Sequence, residues 1–157
     1  MVIIPIRDLQ IFTRTVVKTI DVDASGTDDD FVLDNTAGNT TEQPKNVGAI
    51  IPAFASVIDC QLRCFETVAG SGSAVMSVDV GTTTGSDDLL GAGNVDSAND
   101  IMVIPPGSMP VILPAVTAQN VWVNFTPTAN WSTLTAGRWA ILVTYIDYSA
   151  ALAQRNP

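Results

Sequence analysis

Val57-Ile58-Asp59-Cys60-Gln61-Leu62-Arg63-Cys64-Phe65-Glu66-Thr67 decides how this chain folds. Ile58, Cys60, Leu62 and Cys64 alternate with Asp59, Gln61, Arg63 and Phe65. A period of two is the signature of a strand with one buried face, because successive side chains leave a pleated backbone on opposite sides. Ala69-Gly70-Ser71-Gly72-Ser73 follows as a turn, and Ala74, Met76, Val78 and Val80 resume the alternation against Ser77 and Asp79. Strand, glycine-serine turn and strand together predict a β-hairpin.

The same rhythm extends in both directions. Val121, Val123 and Phe125 alternate with Trp122, Asn124 and Thr126. The span from Arg138 to Tyr148 places Trp139, Ile141, Val143 and Tyr145 on one side, with Ala140, Leu142 and Ile146 on the other. Leu9 to Val22 is a long strand with no cleanly polar face, so partial cover on both faces is expected. Phe31-Val32-Leu33, Ile101–Ile104 and Met109–Leu113 are shorter strands, the last two split by Pro105-Pro106-Gly107. Residues 34–46 read as a polar loop, and Gly81 to Asp100 as a long loop anchored by Leu89 and Leu90. Helix-period stretches are nearly absent. About eight or nine strands separated by turn residues predict an all-β fold, an antiparallel β-sandwich of jelly-roll-like form. The expected organisation is an extended N-terminal arm at 1–8, a sandwich domain at 9–148 and a C-terminal tail at 149–157.

The chain has 157 residues, 46% of them hydrophobic, which suffices for one domain with a substantial core. No apolar run approaches the ~18 residues of a membrane span, so no membrane partner is expected. The start, Met1 to Ile6, has no basic segment and is interrupted by Pro5, which argues against a secretory leader. Sixteen acids against seven bases leave a net charge of −9. The bases are scattered, so binding to nucleic acid or anionic lipid through a basic patch is not expected.

The residue types that carry chemistry are sparse. There is no histidine. Lys18 and Lys45, the only lysines, have no serine three positions before them, so no Ser-x-x-Lys arrangement exists. Cys60 and Cys64 are four residues apart, which in a strand is about 13 Å, beyond the ~7 Å reach of a disulfide. Both are expected inside and reduced, and they complete no zinc site. Asp21-Val22-Asp23-Ala24-Ser25-Gly26 matches the opening of an EF-hand loop, but Val32 stands where the bidentate glutamate belongs. The segment reads as a solvated acidic turn, with a hard cation as the alternative. Asp79, Asp87, Asp88, Asp96 and Asp100 invite a glycosidase reading, yet nothing predicts the apolar pocket that would raise one of their pKa values. Among Trp122, Trp131 and Trp139, Trp131 is the one expected nearest the surface, plugging an edge or offering a sugar-stacking face. No catalytic residue, metal or cofactor is expected.

The stretch from Ile50 to Tyr148 resembles a family of small bacteriophage virion proteins. The resemblance rests on Ile51-Pro52-Ala53 leading into the alternating strand, and on Ser77-Val78-Asp79-Val80-Gly81 followed by Thr82 to Leu90. Trp122-Val123-Asn124-Phe125-Thr126 and the Ala136-Gly137-Arg138 approach to Tyr145-Ile146-Asp147-Tyr148 complete it. It implies a β-sandwich part of a phage particle, foremost a capsid decoration (cement) protein, and no enzymatic activity. The implied partners are the major capsid protein and further copies of the chain, as a homotrimer. The implied place is the virion, assembled in the cytoplasm of a bacterial host. Val2, Ile3, Ile4 and Ile6 of the arm, Leu89 and Leu90 of the long loop, and Trp131 are the expected interface residues. The alternatives are a tail-tube or fibre component, including a receptor-binding one, and a carbohydrate-binding module.

Overall fold

A computed structural model of the chain describes residues 12–22, 31–33, 40–70, 74–104 and 115–149. The arm at 1–8, the acidic turn at 23–30, the strand expected at 109–113 and the tail beyond Ser149 lie outside the described residues. Within them the chain forms nine strands and a single 3₁₀ turn. In order these are β1 (Phe12–Asp21), β2 (Phe31–Val32), β3 (Gln43–Asn46), β4 (Ala55–Gly70), β5 (Met76–Gly81), β6 (Leu90–Asn94), β7 (Ile101–Val103), β8 (Trp122–Pro127) and β9 (Leu134–Asp147). The 3₁₀ turn, Trp131–Thr133, leads into β9.

The strands make two sheets, β2-β1-β9-β4-β7 and β3-β8-β5-β6. Every pairing is antiparallel except the two-residue contact of β2 with β1. With β2 set aside, two four-stranded antiparallel sheets remain. From β3 onward the chain passes to the other sheet at β4, β5, β7, β8 and β9. This is the expected all-β antiparallel sandwich.

The expected β4–β5 hairpin does not form. β4 lies between β9 and β7, while β5 lies between β8 and β6 in the opposite sheet. The glycine-serine segment after β4 therefore links the two layers. Turn composition marks a reversal, but it does not say whether the returning strand pairs with the one before it or packs across from it.

The core is the space between the sheets. Cys60, Leu62 and Cys64 of β4 face inward beside Trp139, Ile141 and Val143 of β9, opposite Val78 and Val80 of β5 and Val123 and Phe125 of β8. The predicted alternation of β8 and β9 is observed. In β4 it needs one correction. A bulge between Val57 and Asp59 turns Val57 inward (3% exposed) and leaves Ile58 only partly buried. β1 also differs from expectation: among its described side chains only Ile20 and Asp21, with the following Val22, are buried, while Thr13, Arg14, Thr15, Val17 and Lys18 are exposed. Apolar residues on both parities suggested cover, but most of this strand lies at the sheet margin.

Two strands were hidden inside expected loops. β3 contains Pro44, which donates no ladder hydrogen bond and is tolerated because β3 is an edge strand. β6 runs through Gly91-Ala92-Gly93, a sequence that reads as a turn. Gly93 leaves room there for Met102, whose Sδ would lie 3.2 Å from a Cβ at that position.

Both cysteines are free and buried. Burial and, secondarily, the charge of Asp59 push the Cys60 thiol up to about 12. Burial likewise pushes Cys64 to about 11, and its Sγ–H donates to the Glu66 carbonyl at 3.0 Å, which also favours the protonated thiol. The thiolate is the reactive form. Native protein at pH 8 is therefore expected to show neither thiol to a colorimetric disulfide reagent, and denatured protein to show both. Rapid labelling of the native chain would contradict this burial.

Candidate interaction surface

The larger sheet has one face in the core and one pointing out. Pairing registers place Val17, Leu142, Gln61 and Val103 in one row across β1, β9, β4 and β7. The next row holds Thr19, Ala140, Arg63 and Ile101. Val17 is 54% exposed, Ile101 50%, Val103 47%, and Phe65, farther along β4, 59%. Four large apolar side chains thus stand on one outward face. Between them runs a polar line along β4. Gln61 Nε2–H donates to Asp59 Oδ2 at 2.8 Å, and Arg63 Nη2–H donates to Gln61 Oε1 at 2.8 Å. These side chains are held by one another, so the face presents an ordered polar strip flanked by apolar residues. A partly apolar, pre-organised sheet face suits docking of another protein.

The outer face of the smaller sheet is covered at Asn124, while Thr126 and Asn94 on the same face stay exposed. Residues 82–88 fold back over β8 and cover Asn124, whose side chain is fully buried although its parity points outward. Asn124 Nδ2–H donates to the Asp79 carboxylate and to the Ser86 carbonyl, and Asn124 Oδ1 accepts from the Gly85 N–H at 3.3 Å. The loop is tied at its far end by Asp88. Its Oδ1 accepts from Thr82 N–H at 2.7 Å and Ser86 Oγ–H at 2.9 Å, and its Oδ2 from Thr82 Oγ–H at 2.6 Å. Partial burial works to raise the Asp88 pKa, but these donors outweigh it and hold the carboxyl below its ordinary value.

A depressed folded pKa contributes stability that is present above the unfolded value and lost as pH falls through the folded one. Asp88→Asn is therefore expected to lower the melting temperature at pH 7, with the gap to wild type closing as the solution is acidified below the carboxylate range. A gap unchanged by acid would mean that the charge is not what ties the loop.

Asp100 and Asp21 are also tied up within the fold. Asp100 Oδ2 accepts from Ser97 N–H at 2.8 Å and from Asp96 N–H at 3.2 Å, closing the turn after β6. That turn is fastened to β4 by Cys64 N–H to Asp100 O at 2.9 Å and Val68 N–H to Asp96 O at 2.8 Å, beside the bulges of β4 after Cys64. Asp21, the first residue of the EF-hand-like segment, is bound by Arg138 Nε at 2.8 Å. Among the described residues no three acidic, cysteine or histidine side chains gather as a metal site.

Of the residues expected at an interface, Leu89 (4% exposed), Leu90 (3%) and Trp131 (0%) lie in the core of this chain. Trp131 Nε1–H donates to the Thr41 carbonyl at 2.7 Å, stitching the 3₁₀ turn to the segment before β3. Its ring is therefore not a sugar-stacking face. Sequence placed it outside because Ala129-Asn130-Trp131-Ser132 looks like a loop tip, and nothing local reveals the partner ninety residues away. Val2, Ile3, Ile4 and Ile6 lie outside the described residues. The outward apolar set was missed, although Phe65 gave a signal: it is an aromatic on the polar parity of the alternation that decides the fold.

No protein-family model matches the chain, and no curated protein does. Among solved structures, a chain from the capsid asymmetric unit of cyanophage Pam1 is similar with a TM-score of 0.57 and 14% identity, covering 94% of this chain and 93% of that one. A chain from the capsid of Ralstonia phage GP4 gives a TM-score of 0.47 and 17% identity, covering 82% and 96%. The first likeness shows a fold shared along nearly the whole of both chains.

Proposed function

We propose that this protein is a non-enzymatic structural component of a phage virion, and within it a decoration protein that stabilises the head. The observation carrying this reading is the end-to-end fold likeness to a chain of the cyanophage Pam1 capsid. The outward face with Val17, Phe65, Ile101 and Val103 gives it a physical means. Each copy lays this face across a junction between major capsid subunits, and copies associate with one another as a homotrimer, with the arm residues Val2, Ile3, Ile4 and Ile6 adding contact. Binding the assembled shell but not the free subunit stabilises the shell by mass action.

Electron microscopy of virions carrying the protein is the test. Density for the sandwich is expected on the head surface; density on the tail, or none in the particle, overturns the reading. A second measurement addresses the face itself. Ile101→Glu combined with Val103→Glu is expected to weaken binding to heads at least about tenfold, since charges placed within a docked apolar patch lose their water. The fold should melt as before, because both side chains are half exposed. Undiminished binding would assign the contact to another surface.

A further inference from the structure

We infer that copies of this chain join head to tail, the open edge of β1 in one copy adding to the open edge of β6 in the next. This rests on the self-association in the proposed function and names its contact. Among the described residues, β1 pairs with β9 along its full length, but on its other side it meets β2 only at Ile20 and Asp21. From Phe12 to Lys18 its outer edge has no described strand beside it. β6 pairs with β5 on one side and with no described strand on the other. Such edges offer unpaired backbone N–H and C=O groups, which are templates for strand addition.

The two edges lie at opposite ends of the sandwich. β6 packs beside β7, with Gly93 against Met102, and β7 and β1 stand on opposite sides of the larger sheet. A contact between opposite ends is heterologous, so it propagates and can close into a ring.

Charge selects this pairing. Thr13-Arg14-Thr15-Val16-Val17-Lys18 contains two of the seven bases of an acidic chain and no acid. Both are exposed, although Arg14 also acts on Asp147 across β9. They stand about 13 Å apart along the strand. β6 is about 17 Å long and is bracketed by Asp87 and Asp88 before it and Asp96 after it. Its middle, Gly91 and Ala92, is exposed and nearly without side chain, so an incoming strand meets bare backbone. Pairing β1 with a second β1 would instead bring like charges together, which disfavours it.

Sedimentation of the full chain tests the contact. Wild type is expected to self-associate, and Arg14→Asp with Lys18→Asp to weaken association at least about tenfold. Asp87→Lys with Asp96→Lys should do the same, and the fourfold variant carrying both reversals should restore it. Thermal melts of each variant show whether the monomer still folds. A monomeric wild type, association indifferent to either reversal, or no rescue in a folded fourfold variant overturns the inference. A chain that decorates heads while sedimenting as a monomer would sink this contact and leave the virion reading standing. A chain that oligomerises in this way but is missing from virions would do the reverse.

Discussion

Trp139→Ala is expected to destabilise the protein by about 4 kcal/mol, the upper range for emptying a core aromatic site. Trp139 is fully buried on β9, in a row with Ile20 of β1 and Cys64 of β4. Its ring meets Phe125 of the opposite sheet with centroids 4.9 Å apart and planes tilted by 56°, a favourable aromatic geometry. Its Nε1–H donates to the Val95 carbonyl at 2.7 Å, just past β6. One side chain therefore ties the larger sheet to two strands of the smaller one. Truncation removes the packing, leaves a cavity and strands a buried carbonyl, and these losses add. Trp139→Phe keeps most of the volume and loses the hydrogen bond, so its cost is expected to be nearer 2 kcal/mol. Guanidinium denaturation of the three proteins decides the matter. If Trp139→Ala cost under about 1 kcal/mol, the core would be organised around some other contact than this one.

The backbone around Trp139 is shaped to receive it. Gly137 has φ +155°, and a Cβ there would stand 2.7 Å from Trp139 Cη2. The glycine is thus needed both for its conformation and for the indole beside it. Sequence showed Ala136-Gly137-Arg138 as the approach to a hydrophobic strand, but not that the glycine makes room for the tryptophan two residues on.

What could be read from sequence divides along a physical line. β4, β8 and β9 were legible because each has one face in the core, and burial writes a period of two into the residues that share it. β3 and β6 were illegible because an edge strand need bury little: Pro44 and the Gly91-Ala92-Gly93 run violate strand preference where no second neighbour enforces it. Leu89, Leu90 and Trp131 were sent to an interface because their local sequence is polar, whereas their burial comes from strands distant in the chain. Asn124 is the reverse case. It sits on the outward parity of β8, as the alternation predicted, and only a loop returning over the sheet buries it. Long-range cover of this kind leaves no periodic trace, so neither the covered Asn124 of the smaller sheet nor the open face of the larger one could be assigned before the fold was known.

Gly81→Ala tests that cover, and about 3 kcal/mol of destabilisation is expected, the high end for forcing atoms into filled space. A Cβ at Gly81 would lie 1.9 Å from Ser86 Oγ, 2.2 Å from Ser86 O and 2.5 Å from Ser86 C. The side-chain clash alone would be relieved by rotation. The clash with the carbonyl is with backbone, so Ser86→Ala added to Gly81→Ala is not expected to rescue it. Something must move, and the loop is softer than the strand: β5 is paired on both sides, by β8 and β6. Lifting residues 82–88 away from the sheet breaks the bonds of Asn124 to Ser86 and Gly85 and exposes an amide that the wild type keeps fully buried. The cost is bounded by the cost of releasing the loop, because Leu89 beyond it stays anchored in the core. Hydrogen exchange should therefore show lost protection at Ser86, whose N–H donates to Thr83 O at 3.1 Å, and unchanged protection in β9. Equal protection of this loop in wild type and variant, with stability within about 0.5 kcal/mol, would mean that the loop does not press on Gly81 and does not cover Asn124.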